Sequence, residues 1–245
     1  MVLRALLSDN LKVRIRGALS MVGVEIGAYS GSFAQHRTHL INDGRVSTVW
    51  DIGAHIGQYG ARLRSHGYRG QIVSVEPSGQ AFAELSRRAI RDPRWTAVEL
   101  AVSDTAGSAT LNRSANGQSS SLLPMKPRHL SADPTSRYVS SQVVQSITLD
   151  LLQAELAVSR PFYIKLDVQG GELAALRGAT EVLHATGACE VELSLAELYD
   201  GQGSWQDVLA FLAAAGFAIC DIERVFFDSG SGDLLQVNAL LRREA

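Results

Sequence analysis

The sequence predicts an α/β fold in which a mostly parallel sheet carries helices on both faces and ends in an antiparallel hairpin. Three observations predict it. From about residue 46 onward, short β-branched runs alternate with longer helical patterns, as βαβ units do. The run at 46–52 is almost continuously apolar, which a strand covered on both faces requires. It passes directly into a turn with glycines at 53 and 57 and then a helical pattern, the Rossmann-like order of elements.

At 245 residues, 46% hydrophobic and 20% charged, the chain is long and apolar enough for one α/β domain with a sizeable core. That domain is expected at 46–245, with 1–45 as an N-terminal helical cap or extension that includes His36 and His39. Lys and Arg number 23 against 25 Asp and Glu, a formal charge of -2. No global field attracts a polyanion, so nucleic acid is not an expected partner. Cys189 and Cys220 lie in apolar stretches without metal-type spacing and read as reduced core thiols. Near the N-terminus, Arg4, Lys12, Arg14 and Arg16 interrupt every apolar run before it reaches signal or membrane-span length, and a cytoplasmic protein is expected. Leu3, Leu6, Leu7, Leu11, Ile15 and Leu19 form a helical stripe suited to docking on the domain, on a partner or weakly on a membrane surface. A homodimer through this helix or the last hairpin is compatible with the length.

The remaining elements follow in order. After the first strand a helix runs to about residue 65. Strand 71–75 ends at Glu76-Pro77 and precedes a helix over 81–91. A third strand is expected near 96–102 and a further one near 109–112, after a turn over 104–107. Residues 114–142 hold Pro124, Pro127, Pro134 and a serine cluster without a sustained period, and are read as a long loop or lid. Strand 162–167 leads through Gly170-Gly171 into a helix ending near residue 184, and 189–193 is a short buried strand. A helix from Trp205 stops at Gly216, and 217–227 with 234–241 flank a DSGSGD turn as a hairpin.

Three acidic residues, Asp51, Glu76 and Asp104, stand after three successive strands. Gly53 and Gly57 let a ligand approach the backbone, and the helix start behind them offers free amides. The spacing is not G-x-G-x-x-G, because Ala54, His55 and Ile56 separate the glycines, so a pyrophosphate cradle is not favoured. Asp51 instead suits a cationic amino-acid group, Glu76 the two hydroxyls of a ribose, and Asp104 an adenine amino group. S-adenosyl-L-methionine fits this set. Ala54, His55, Gln58, Tyr59, Pro77, Ser103 and Asp167 complete the expected cofactor site. Taken singly, Gly53 also reads as a plain turn, Glu76 as a solvated loop residue and Asp104 as a turn cap.

These residues carry a family resemblance. DIGAHIGQYG (51–60), SVEPSGQAFAEL (74–85) and AVSDTAGSATL (101–111) resemble three successive motifs of the FkbM-type methyltransferases. YIKLDVQGGELAALRGA (163–179) resembles their stretch with a K-x-D-x-x-G-x-E core, and LYDGQ (198–202) with LLQVNAL (234–240) resembles the C-terminal part of the sugar-modifying members. The likeness covers about 46–241. It implies a class I methyltransferase sheet, S-adenosylmethionine as cofactor, and methylation of a hydroxyl on a polyketide or on a sugar of a glycolipid or other secondary metabolite. Two positions depart from it: His55 stands where the family usually has Asn, and Gly171 where Tyr is common.

Methyl transfer to an alcohol needs an aligned hydroxyl and a group that takes its proton. Asp167, at the end of a central strand, is the first candidate, with Lys165 two residues before it and Glu172 in the following helix. All three also read as structural, since Lys and Asp can satisfy loop backbone and Glu172 can cap a helix. Glu190 and Glu192 bracket Val191 on the next strand, and Glu192 is a further candidate at the acceptor. His129 is expected to reach the acceptor when the 114–142 segment closes. Asp104, Asp167 and Glu192 allow a Mg2+ at one sheet edge, although no ligand spacing calls for a metal. Ser119, Ser120 and Ser121 after Gln118 suit a polyol or form a flexible linker. Tyr199 and Trp205 stack on a sugar or pack helix against sheet. Two other functions compete: an NAD(P)-dependent oxidoreductase of similar architecture, and a non-catalytic scaffold that keeps an S-adenosylmethionine pocket.

Overall fold

The computed structural model describes residues 32–244, and the apolar stripe expected at 3–19 lies outside them. Helix α1 (Phe33–Asp43) leads to strand β1 (Thr48–Ile52), helix α2 (Gln58–Ser65), strand β2 (Gln71–Val75), helix α3 (Gly79–Ala89) and strand β3 (Trp95–Val98). Strands β4 (Ala101–Val102) and β5 (Gly107–Ser114), helix α4 (Pro127–Ala132), a 3-10 turn at Pro134–Ser136 and strand β6 (Tyr138–Ile147) form the middle of the chain. Helix α5 (Leu149–Leu156), strand β7 (Phe162–Leu166), helices α6 (Glu172–Arg177) and α7 (Thr180–His184), strand β8 (Thr186–Ser194), helix α8 (Trp205–Ala214) and strands β9 (Phe217–Phe227) and β10 (Leu234–Arg243) follow.

Seven strands form one sheet in the order β3-β2-β1-β7-β8-β10-β9. The first five are parallel, while β10 runs antiparallel to both β8 and β9. This is the α/β arrangement that the sequence predicts, terminal hairpin included. Side chains alternate along the buried strands, so each face carries its own core. Trp50, Val73, Ile164 and Val191 pack with residues of α5, α6, α7 and α8 on one side. Val49, Ile72, Tyr163 and Leu240 pack with residues of α1, α2 and α3 on the other. The chain runs outward from β1 to β3 and then crosses back to β7, on the opposite side of β1. Strand order therefore reverses between β1 and β7, the place where open α/β sheets form a crevice at their carboxyl ends.

The register of the three central strands sets the site. Asp51 on β1 pairs with Ser74 on β2 and with Lys165 on β7, and Lys165 pairs with Glu190 on β8. A row of polar and charged side chains thus crosses the buried face just before the strand ends.

Several expectations are corrected. The strand expected near 96–102 divides: β3 belongs to the large sheet, while β4 joins β6 and β5 in a second sheet of three strands. The segment 114–142 is not a long loop. It contains α4, the 3-10 turn and the first half of β6, which pairs antiparallel with β5. Half of β6 is exposed, Val139 and Val143 included, so its apolar residues do not follow the alternation that marks a half-buried strand. The single helix expected to end near 184 is broken into α6 and α7. At Gly178 a Cβ would lie 2.2 Å from the Ser103 carbonyl oxygen, so only glycine allows the chains to come this close. The Asp150 carboxylate accepts from the amides of Glu181 and Val182 at 3.1 and 2.9 Å and restarts the helix there. Helix α5, missing from the sequence reading, begins at Thr148, whose hydroxyl accepts from the Leu151 amide at 3.2 Å.

Candidate functional site

A cavity of about 570 Å³ opens at the carboxyl ends of β1, β2, β4, β7 and β8. Its β1 side is a turn that permits no side chain at Gly53. That residue has φ +73, and a Cβ there would meet the Asp167 carbonyl oxygen at 1.7 Å. His55 also adopts a left-handed conformation, φ 48, which costs about 1 kcal/mol for a residue with a Cβ. Its amide donates to Glu76 Oε2 at 2.8 Å, while the Ser78 amide donates to Oε1 at 2.8 Å. Two backbone donors therefore fix the Glu76 carboxyl at the rim of the cavity, one on each oxygen. Burial pushes its pKa up to about 7 against the opposing effect of those two bonds.

Lys165 joins the two halves of the switch point. Its ammonium donates to the Gly53 carbonyl at 2.9 Å and lies 3.3 Å from Asp167 Oδ2 and 3.8 Å from Asp51 Oδ1. Burial disfavours its charge, but Asp167 and Asp51 outweigh burial and hold its pKa above the ordinary lysine value. Lys165 is thus a fixed cation at neutral pH. Asp51 is fully buried beneath the cavity, where its Oδ2 accepts from Ser74 Oγ at 2.8 Å. It does not line the cavity and faces Lys165, in place of the direct ligand contact expected for it.

The loop after β7 carries the second polar centre. Gln169, in a left-handed conformation with φ 54, donates through Nε2 to both Asp167 Oδ1 and Glu192 Oε2, each at 2.8 Å. Its carboxamide is held from behind by the Tyr199 hydroxyl, which donates to Oε1 at 2.7 Å, and Ser121 Oγ donates to its backbone carbonyl at 2.6 Å. Glu192 Oε2 accepts a second amide bond from Gln236 at 2.7 Å. Burial, with Asp167 and Glu172 nearby, raises the Glu192 pKa above the ordinary carboxylate value. Glu172 is structural: its carboxyl turns back to accept from the amides of Val168 and Gly170 at 3.0 and 3.2 Å.

Of the expected cofactor residues, Gly53, Ala54, His55, Gln58, Tyr59, Glu76, Pro77, Ser103 and Asp167 line this one cavity. Gly57 does not. It starts α2 in a left-handed conformation, and a Cβ there would press on Leu85 and Trp95 at 2.9 and 3.2 Å. Asp104 is exposed and outside the lining, because the chain turns away toward β5 immediately after β4. The three carboxylates that the sequence allows to share a Mg2+ therefore do not converge, and no three-residue metal cluster occurs among the described residues. Lys165 and Glu192 line the cavity, whereas His129 does not. His129 is 2% exposed on α4, between the rings of Tyr199 and Phe226 at 5.2 and 5.3 Å. Burial lowers its pKa to about 4, so it is a neutral packing residue and not a group that swings in with a lid.

Tyr199 is fully buried and its hydroxyl supports Gln169, while Trp205 packs at the edge of the α8 core, and neither lines the cavity. Gln118, Ser120 and Ser121 line the cavity and bring the β5–α4 connection over it. Gln169, Glu190, Arg62 and Asn238 also line it. Gln169 lies inside the K-x-D-x-x-G-x-E stretch but carries no signal of its own. Asn238 is legible only once β10 is paired with β8, opposite Glu192.

The apolar part of the lining (Leu100, Val102, Leu111) adjoins the β4–β5 side, and the amides and carboxyls gather around β7 and β8. No helix of the described residues is long and apolar enough to cross a membrane.

Comparison with known proteins bears on this arrangement. The chain is 24% identical to the hexuronic acid methyltransferase AglP of Haloferax volcanii over 147 residues, 59% of this chain and 55% of that protein. It thus spans about half the length of that curated relative. It is similar in structure to a methyltransferase FkbM from Methylobacillus flagellatus, with 13% identity, 79% of this chain and 43% of that chain covered, and a TM-score of 0.47. It is similar also to an O-methyltransferase from Bacillus cereus in complex with SAH, with 13% identity, 98% and 93% of the two chains covered, and a TM-score of 0.48. Residues 51–219, from the β1 turn into β9, match the family described as the methyltransferase FkbM domain, and the chain belongs to that family.

Proposed function

We propose that the protein is an S-adenosylmethionine-dependent O-methyltransferase whose acceptor is a sugar or similar polyol hydroxyl. The observation that carries this reading is Glu76. Each of its oxygens is oriented by a backbone amide and keeps lone pairs for a second donor, the chemistry that a pair of ribose hydroxyls requires. Leu100, Val102 and Leu111 suit an adenine ring, and the turn from Gly53 to Gln58 with Tyr59 suits the amino-acid end. The donor set fits the cofactor. When bound, the cofactor supplies an electrophilic methyl group.

The chain's own residues then have to hold a hydroxyl and take its proton. Asp167 is the general base in this reading: its carboxylate accepts the proton, while Lys165 fixes its position and Gln169 occupies its other oxygen. Glu192 lines the same cavity and offers its carboxyl to an acceptor hydroxyl. Planar amides and carboxyls in the lining (Gln169, Glu192, Asn238, Gln118) match the alternating donors and acceptors of a polyol better than an apolar ring system. Membership of the FkbM family and the name of the AglP relative support a sugar acceptor, and a hexuronic acid is the first class to test.

The test incubates the purified protein with S-adenosylmethionine and a panel of hexuronic acids, neutral hexoses and macrolides. S-adenosylhomocysteine release that depends on a sugar, with a methyl ether in the product, agrees with the proposal. Release only with the macrolides, or a methyl ester on the hexuronic carboxyl in place of the ether, contradicts it.

A further inference from the structure

Helix α1 precedes the segment matched to the family, yet it sends a guanidinium to the cavity wall. Arg37 is 5% exposed, and its Nη1 donates to both oxygens of Glu190, at 3.2 and 3.1 Å. Glu190 is itself 4% exposed and lines the cavity. Its Oε2 also accepts from the hydroxyls of Tyr59 at 2.8 Å and Tyr163 at 3.2 Å. The Arg37 guanidinium lies 5.0 Å from the centre of the Tyr59 ring, and Tyr59 also lines the cavity. One cation thus fixes a carboxylate, the carboxylate fixes two phenols, and one of those phenols forms part of the wall.

We infer that Arg37 is a positioning residue for the amino-acid end of the cofactor site: it anchors both oxygens of Glu190 and so fixes the Tyr59 wall against which that end rests. This rests on the cofactor reading above. A buried carboxylate requires a paired charge or it takes up a proton. The described surroundings of Glu190 offer two cations, Arg37 and Lys165. Lys165 is engaged by Gly53, Asp51 and Asp167, so the direct pairing falls to Arg37. Burial, with the Glu190 charge beside them, holds the Tyr59 and Tyr163 pKa values well above the ordinary phenol value, so both remain donors to Glu190. If Arg37 is removed, Glu190 loses the partner that anchors both its oxygens, and the wall at Tyr59 is free to shift. The Glu76 end of the cavity is held by its own amides, independent of Arg37.

The experiment exploits that separation. Calorimetric titrations of the full chain with S-adenosylhomocysteine are set beside titrations with 5′-methylthioadenosine, which has the nucleoside and sulfur but no amino-acid tail. Arg37→Met is expected to weaken S-adenosylhomocysteine about tenfold or more, as displaced positioning groups do, and to leave methylthioadenosine within about twofold. Arg37→Lys, which keeps a cation, is expected to recover part of the loss. Equal weakening of both ligands, or wild-type affinity for both, overturns the inference. If Arg37→Met does not fold, Tyr59→Phe carries the same comparison with the same expectation. Wild-type protein that binds neither ligand overturns the cofactor reading and this inference with it, an outcome distinct from any in which only the variants change.

Discussion

The ammonium of Lys165 on β7 donates to the carbonyl of Gly53 on the β1 turn at 2.9 Å, across the point where strand order reverses. The same ammonium lies between Asp51, which is sealed beneath the cavity, and Asp167, which opens into it. One buried cation therefore sets both the shape of the cofactor-side turn and the position of the proposed base.

Replacing Lys165 with Met should leave Asp51 buried without a compensating charge. Loss of one partner from a buried pair typically costs about 3–5 kcal/mol. Chemical denaturation should show a loss of that size. A loss below about 1 kcal/mol, the range of a surface pair, would contradict the account.

At Gly53 the prediction is harsher. A Cβ 1.7 Å from the Asp167 carbonyl oxygen has no room unless β1 and β7 separate, and φ +73 disfavours any side chain. Gly53→Ala should cost about 4 kcal/mol or more, in the range of severe strain and overpacking. Soluble Gly53→Ala protein with an unchanged melting temperature would be incompatible with this packing.

Much of this was legible in the sequence, and the failures have physical causes. The β1 turn and Glu76 are readable because each sits at the end of a short strand rich in β-branched and apolar residues, where the parallel sheet must deliver them to one edge. Asp104 has the same sequence position relative to its strand, but β4 leaves the large sheet, and that edge is lost. Residues 114–142 read as a loop because the first half of β6 buries no residue and so imposes no alternation. His129 looks mobile beside Pro127 and becomes core only because Tyr199 and Phe226, far along the chain, close on it. Arg37 gave no signal, since its partner lies 153 residues away.

Glu76 and Glu172 give a pH prediction. Burial raises both in the folded protein from 4.5 to about 7. The folded state then binds these protons more tightly than the unfolded chain, so the contribution is present below pH 4.5 and is lost as pH rises through 7. Each group is worth about 3 kcal/mol across that window. Stability measured from pH 4 to pH 8 should fall less steeply in Glu172→Gln than in the wild type. An identical slope in the two proteins would show that Glu172 does not take up its proton on folding.

Asp167→Asn should separate chemistry from binding. It keeps the shape beside Lys165 and Gln169 but cannot accept the hydroxyl proton. Turnover with a responsive sugar acceptor should fall by about 10²–10⁴, the range for loss of a general base, with S-adenosylhomocysteine affinity within about threefold of wild type. Full turnover in Asp167→Asn would remove it from the role of base.

The most direct test of the central claim is calorimetric titration of wild type and Glu76→Ala with S-adenosylhomocysteine, and of wild type with NAD. The account predicts that wild type binds S-adenosylhomocysteine and not NAD. It also predicts that Glu76→Ala, still folded, loses about 2 kcal/mol or more of that affinity, as when buried ligand hydroxyls lose a charged partner. Folded wild type that fails to bind S-adenosylhomocysteine, or that binds NAD in its place, would contradict it.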